Sequence, residues 1–280
     1  MATYKGIKGF SIQNLSADPS NLIEGEMWYN STSGVWKVEE ATAAGAWATS
    51  GNMGSARSNL GNAGIQTAGL GFGGYGPAPA VGDTEAYDGS TWTAGGSLNT
   101  ARRELGSAGT QTAALAFGGT EPITGATEEY NGTSWATSPG SLNTARAGLA
   151  GAGTQTAALG FGGRTPSPTG ATEEYDGSTW TTSPGSLGTA RYVLGGAGTQ
   201  TAGLAFGGFS TPPATYRSET EEYNGTSWTA VNSMNTSRKD LAGAGTQTAG
   251  LGFGGYSTAA TGATEEWTVS AFTAKTITTA

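Results

Sequence analysis

Cysteine and histidine are both missing from this chain of 280 residues. Without cysteine the protein has no disulfide, thiol nucleophile or thiolate metal site, and without histidine it has no imidazole to act as an acid or base near neutral pH. These absences remove residues on which many enzymes and metal proteins depend. We therefore expect no catalytic residue, no metal site and no cofactor.

Charged side chains are scarce, and their balance is acidic. Asp, Glu, Lys and Arg make up only 12% of the chain, and the formal net charge is −8. Nucleic-acid backbones are bound by clusters of Lys and Arg, so we expect no nucleic-acid partner. No apolar run approaches the ~20 residues that a membrane span needs. The first residues lack the apolar core of a secretory signal peptide, so we expect neither membrane insertion nor a signal peptide.

Glycine is abundant, with 49 residues, and much of it belongs to an internal repeat. A motif close to Gly-Thr-Gln-Thr-Ala-Ala-Leu-Ala-Phe-Gly-Gly occurs five times, at intervals of 45, 44, 45 and 47 residues. The copies centre on Phe72, Phe117, Phe161, Phe206 and Phe253. A period in this range is the signature of a repeat architecture, and aromatic residues at fixed places indicate a chain that can bury a core.

One repeat unit predicts four short strands. The first leads from Arg146 to about Gly153, the second spans 157–161, the third spans 171–175, and the fourth surrounds Trp180. An Asp-Gly or Asn-Gly pair precedes the fourth strand, and such pairs are strong hairpin signals. Four antiparallel strands per unit, repeated around an axis, form the blades of a β-propeller. We therefore predict an all-β propeller with almost no helix.

Two sets of residues recur in register within these units. The double glycines are Gly73-Gly74, Gly118-Gly119, Gly162-Gly163, Gly207-Gly208 and Gly254-Gly255. The aromatic pairs that follow are Tyr87/Trp92, Tyr130/Trp135, Tyr175/Trp180, Tyr223/Trp228 and, in altered form, Trp267/Phe272. Over about residues 50–273 this pattern resembles the Kelch repeat family, which implies Kelch-like propeller blades. The interval between Tyr and Trp is shorter than is usual in that family.

The two ends of the chain determine how many blades to expect. Trp47 aligns with Trp92, residues 26–30 and 35–39 predict a hairpin, and Thr276–Thr279 could supply a missing strand. We predict six blades, with the N- and C-terminal segments closing one blade together because this pairs otherwise open edges. The chain then divides into an attachment segment, 1–47, which contributes strands to the closing blade, and the propeller repeats, 48–280. The alternative is five blades with 1–47 as a separate segment.

Residues 18–33 carry a second resemblance. Their Asp-Pro start and Gly-Glu-Met-Trp-Tyr-Asn-Ser-Thr stretch resemble segments of bacteriophage tail-fibre and virion proteins, and the repeats resemble structural proteins of marine phages. The resemblance implies a non-enzymatic virion protein, associated with the tail or a tail fibre, assembled in the host cytoplasm and partnered by other virion proteins. A capsid-decorating protein and a bacterial Kelch-like module that binds glycans or proteins remain as alternatives.

Charged residues also repeat, which allows two interpretations. Five arginines lie nine residues before a glutamine, namely Arg57, Arg102, Arg146, Arg191 and Arg238. They could form a cationic ring at a central channel, or one structural ion pair per blade with the repeated glutamates. Repetition in every blade favours the structural interpretation. Paired glutamates such as Glu128 and Glu129 point to opposite faces of a strand, so they cannot flank one glycosidic bond.

The loops after each double glycine differ in length and chemistry, whereas the other turns hardly change. In an up-and-down blade these loops share a face with the links between blades. Individual loops on a rigid scaffold are the usual place for recognition, and Tyr and Arg are common anchors. We predict a host-surface glycan or protein as ligand, bound by Tyr75, Arg164, Phe209, Tyr216, Arg217 and Tyr256. The alternative is that these are solvated loops whose prolines only prevent edge pairing.

Overall fold

A computed structural model describes residues 13–16, 27–32, 35–38, 49–76 and 80–269. The chain divides into two compact units, 1–49 and 50–280, each of which is described by itself. The described residues contain strands and turns but no α-helix. None of them forms a helix long and apolar enough to cross a membrane.

The N-terminal unit contains a three-stranded sheet. Its strands are β1 (Gln13–Leu15), β2 (Met27–Asn30) and β3 (Val35–Val38). β2 and β3 form the antiparallel hairpin predicted from the sequence, and β1 adds to β2 in parallel.

The second unit contains five blades of antiparallel strands, and within each blade the strands follow one another in chain order from the innermost to the outermost. Blade 1 comprises β4 (Gly61–Ile65), β5 (Ala68–Phe72), β6 (Thr84–Tyr87) and β7 (Trp92–Gly95), and blade 2 comprises β8 (Gly106–Thr110), β9 (Ala113–Phe117), β10 (Thr127–Tyr130) and β11 (Trp135–Thr137). Blade 3 comprises β12 (Ala150–Gly153), β13 (Ala158–Phe161), β16 (Thr172–Tyr175) and β17 (Trp180–Thr182), with the loop strands β14 (Arg164–Thr165) and β15 (Ser167–Pro168) between them. Blade 4 comprises β18 (Gly195–Gly198), β19 (Gly203–Phe206), β22 (Thr220–Tyr223) and β23 (Trp228–Val231), with the loop strands β20 (Phe209–Ser210) and β21 (Thr215–Tyr216) between β19 and β22. The described part of blade 5 comprises β24 (Ala242–Gly245), β25 (Ala249–Phe253) and β26 (Thr264–Thr268).

The all-β propeller with four-stranded blades is therefore confirmed. Five blades agree with the alternative arrangement of the sequence analysis. The strands on which a sixth, closing blade was predicted, around Trp47 and at Thr276–Thr279, lie outside the described residues.

Aromatic residues fill the space between neighbouring blades. Phe117 of blade 2 contacts Trp180 of blade 3, with ring centroids 4.7 Å apart, and the Trp180 indole N–H donates a 2.8 Å hydrogen bond to the Thr127 hydroxyl. Phe72 with Trp135 and Phe161 with Trp228 repeat the ring contact. Burying a large apolar side chain contributes roughly 1.5–3 kcal/mol. The repeated Phe and Trp positions thus hold consecutive blades together.

Small residues occupy the inner strands because these strands pack closely around the axis. A Cβ atom at Gly151 of β12 would lie only 2.2 Å from the carbonyl oxygen of Ser107 in β8. One at Gly243 of β24 would lie 2.3 Å from the carbonyl oxygen of Gly196 in β18. Glycine at these positions is therefore a packing requirement.

The repeated glutamine also joins blades. The Gln155 amide donates hydrogen bonds to the carbonyl oxygens of Ala114 (3.0 Å) and Tyr130 (2.6 Å) in the preceding blade. Gln111, Gln200 and Gln247 make the equivalent pairs of bonds. The constant turn Gly-Thr-Gln is thus part of the scaffold.

Candidate functional site

The loop after each double glycine and the link into the next inner strand lie on one face, which we call the loop face. The first residue after each Gly-Gly forms a β-bridge with the residue that follows the repeated arginine of the same blade. These pairs are Tyr75 with Ser58, Thr120 with Arg103, Arg164 with Ala147, Phe209 with Tyr192, and Tyr256 with Lys239. The hairpin turns within the blades lie on the opposite face.

The repeated arginines are buried and paired. The Arg102 guanidinium lies 2.8 Å from the Glu128 carboxylate, and both side chains are 1% exposed. Burial lowers the pKa of Arg102, and the Glu128 charge opposes that shift. The same pair forms in the other four blades, as Arg57–Glu85, Arg146–Glu173, Arg191–Glu221 and Arg238–Glu265. This geometry is that of a structural ion pair in each blade and not of a cationic ring open to a ligand.

The second glutamate of a pair has a different partner. Glu129 accepts a 2.5 Å hydrogen bond from the Tyr175 hydroxyl of the next blade, and Glu174 accepts one of 2.6 Å from Tyr223. Burial and then the Glu129 carboxylate raise the pKa of Tyr175 to about 12. Adjacent glutamates therefore serve two separate structural contacts, on opposite sides of the strand.

Aromatic side chains gather on the loop face of blades 4 and 5. The Phe209 ring lies 5.7 Å from Tyr192 and 5.4 Å from Tyr216, and Tyr216 lies 6.1 Å from Tyr256. The Lys239 ammonium lies 5.5 Å from the centre of the Phe209 ring and 5.8 Å from that of Tyr256. We call these five residues the blade 4–5 patch.

The long loop of the fourth repeat builds this patch. β20 and β21 form a two-stranded ribbon that pairs Phe209 with Tyr216 directly. Arg217 braces the ribbon, since its Nε donates a 2.7 Å bond to the Ser210 hydroxyl and its Nη1 lies 3.0 Å from the Glu219 carboxylate. The ribbon therefore holds the two rings side by side.

A second aromatic contact lies on blades 1 and 2. Tyr75 is 46% exposed, and the Arg103 guanidinium lies 5.1 Å from its ring centre. Arg103 pairs at 2.7 Å with Glu121, whose pKa is lowered mainly by the hydrogen bond from the Ala80 backbone N–H. This contact links two loops without joining the blade 4–5 patch.

The structure separates the predicted binding residues into four groups. Phe209, Tyr216 and Tyr256 come together in the blade 4–5 patch. Arg217 supports that patch from its own ribbon. Arg164 lies 2.7 Å from Glu104 and 5.4 Å from the Tyr192 ring, at the border of the patch, whereas Tyr75 is apart.

Sequence reasoning missed three residues of the loop face. Tyr192, Lys239 and Arg103 all follow the repeated arginine directly. This position reads Ser, Arg, Ala, Tyr and Lys in the five units, so it varies as much as the loops do. Comparing the units at this position would have found them.

A central cavity of about 470 Å³ is lined by the inner strands of all five blades. Its walls are mainly glycine and alanine, and its acidic side chains Glu104 and Asp240 are paired with Arg164 and Lys239. Among the described residues no group of three or more acidic side chains could hold a metal ion. The cavity therefore offers backbone and small side chains but no cluster of reactive groups.

No protein-family model matches the chain, and no curated protein is significantly similar to it. A fold alone does not define a function, so function has to be argued from the loop face.

Proposed function

We propose that this protein is a non-enzymatic structural protein of a bacteriophage virion, associated with the tail or a tail fibre, which uses its loop face to attach to a host surface. The resemblance of residues 18–33 to tail-fibre segments and that of the repeats to structural proteins of marine phages support the setting. The blade 4–5 patch supports the mode of action.

One observation carries the proposal. Four aromatic rings and a lysine meet on a single face of an otherwise uniform scaffold. Aromatic anchors on rigid elements are typical of recognition surfaces because ordering them on binding costs little conformational entropy. The repeated Arg, Glu, Gln and Trp side chains are occupied by contacts between or within blades, which favours scaffold over catalysis.

Location is the first test. Particles purified from an infected host would be labelled with an antibody against the chain, and we expect labelling at the tail. Its absence from the particles would refute the virion assignment.

Attachment is the second test. The purified chain is expected to compete with particles for adsorption to the host, and the double variant Tyr216→Ala/Arg217→Ala is expected to lose that competition. Ile65→Ala is a matched control, because Ile65 is 70% exposed in the hairpin between β4 and β5, on the opposite face. Equal competition by all three proteins would refute use of the loop face.

A soluble binding module of a bacterium is the second candidate. The same patch would serve it, since a recognition surface does not require a particle. A chain never found in particles, with ligand binding that depends on Tyr216 and Arg217, would favour this function over the first.

A further inference from the structure

We infer that the blade 4–5 patch binds a neutral, hydroxyl-rich saccharide. This inference rests on the proposed function, because it names the chemical class of ligand for the same loop face. It is argued from the exposed rings and from the pairing of the charges around them.

The rings provide apolar faces at the surface. Tyr256 is 39% exposed, and Phe209 and Tyr216 are half-buried beside it. Tyr216 and Tyr256 are inclined at 45° to each other, so together they form an angled platform. The C–H face of a pyranose ring can pack on such a platform, because the face of an aromatic ring is electron-rich and attracts polarised C–H groups.

The charges around the rings are already compensated. Lys239 lies 3.2 Å from the Asp240 carboxylate, Arg217 lies 3.0 Å from Glu219, and Arg164 lies 2.7 Å from Glu104. The six side chains have equal numbers of positive and negative charges. An anionic ligand would find each cation neutralised by a nearby carboxylate, on a chain whose formal net charge is −8. Charge complementarity thus favours a neutral ligand.

The same ion pairs suit hydroxyl groups. The side chains of Lys239 and Asp240 are 32% and 35% exposed, so their hydrogen-bonding atoms reach the surface. Sugar hydroxyls both donate and accept, so they can replace the water bound to an ammonium and to a carboxylate at once. An apolar protein surface would remove that water without replacing its hydrogen bonds, which is costly for charged groups. A saccharide therefore fits the patch better than an apolar protein surface does.

The test is binding of the full chain to an array of neutral oligosaccharides, printed beside sulfated and sialylated forms of the same oligosaccharides. We expect binding to at least one neutral member, with little change between low and high salt because no net charge is neutralised. Tyr256→Ala and Tyr216→Ala are each expected to weaken binding by about tenfold or more, since each removes an aromatic face. Tyr256→Phe retains the ring and should retain most of the binding.

Matched controls separate a lost contact from a lost fold. Ile65→Ala on the opposite face should bind as the unchanged protein does, and unfolding curves should show that every variant is folded under the conditions of the binding assay. Preference for the sulfated or sialylated forms, or unchanged binding by Tyr256→Ala and Tyr216→Ala, would overturn the inference. So would the absence of binding to every neutral saccharide. If the chain nevertheless competes with particles for the host, the attachment function stands, and a protein becomes the expected ligand.

Discussion

Replacing Glu128 by glutamine removes one charge of a buried ion pair while keeping the side-chain shape. In the native protein the Glu128 carboxylate lies 2.8 Å from Arg102 and accepts a 2.6 Å hydrogen bond from the Asn99 backbone N–H. Both charged side chains are 1% exposed. The variant therefore leaves the Arg102 guanidinium in the interior without a countercharge.

The structure sets the size of the effect. Breaking a buried ion pair by removing one partner costs about 3–5 kcal/mol, because the remaining charge stays desolvated. Domains of this kind are stable by about 5–15 kcal/mol, so the change removes a large fraction of the free energy of unfolding. The double variant Arg102→Met/Glu128→Leu removes both charges and should cost less than the sum of the two single changes.

Blade 5 supplies a matched control. Glu265 pairs with Arg238 at 2.9 Å and accepts a 2.6 Å bond from the Asn235 backbone N–H, but its side chain is 17% exposed. The Arg238 side chain is itself fully buried, but water screens its attraction to the partly exposed Glu265 carboxylate, so Glu265→Gln should cost only about 1–3 kcal/mol. Urea unfolding of both variants gives the two free energies, provided that the slope with urea is unchanged.

Two outcomes would refute this reasoning. The first is a loss of less than about 1 kcal/mol for Glu128→Gln, the range found for exposed pairs. The second is a loss for Glu265→Gln equal to or greater than that for Glu128→Gln. Either outcome would mean that burial does not determine how much these repeated ion pairs contribute to the free energy of unfolding.

Three further predictions concern single residues. Val193 has a left-handed φ of 48°, which is costly for a β-branched residue. Val193→Gly should therefore raise the free energy of unfolding, measured in urea, by about 1 kcal/mol, and a destabilised variant would contradict this. The pKa of Tyr175 is raised to about 12 by burial and by Glu129, so its neutral form stabilises the fold; that stability is present below the unfolded pKa of about 10 and is lost as the pH rises to about 12. Unfolding measured across this range should therefore show a smaller alkaline loss for Tyr175→Phe, and an equal loss would be contrary to it. The pKa of Asp176 is lowered to about 2 by hydrogen bonds from the backbone N–H groups and side chains of Thr179 and Ser178. The stability that its carboxylate contributes is therefore lost as the pH falls from about 4 to about 2. Asp176→Asn should remove this acid sensitivity, because Asn131 forms the equivalent turn without a charge.

Much of the fold could be predicted because its signals are local. The turn at Asp176 forms through hydrogen bonds to residues two and three positions further along the chain, so four adjacent residues are enough to specify it. The strand order within a blade follows from such hairpins. The variability of the loops after each double glycine was likewise visible by comparing the repeats.

The candidate site could be predicted only in part. Phe209, Tyr216 and Tyr256 were expected on the loop face, and they meet there. Their neighbours Tyr192 and Lys239 come from the links that follow the repeated arginines, on the other side of each bridge. How closely Tyr192 and Lys239 approach the three loop rings depends on the packing of the links against the loops, and no local sequence pattern predicts that packing.

The amino-acid sequence by itself determined a repeating all-β scaffold and the face on which its blades differ, because strands and tight turns depend on neighbours in the chain. Tertiary structure alone decided which charges are buried in pairs and which rings form a surface. Arg102 and Glu128 are 26 residues apart, and Tyr216 and Tyr256 belong to different blades. Such contacts depend on the packing of whole blades against each other, and a one-residue change in register would move every side chain to the other face.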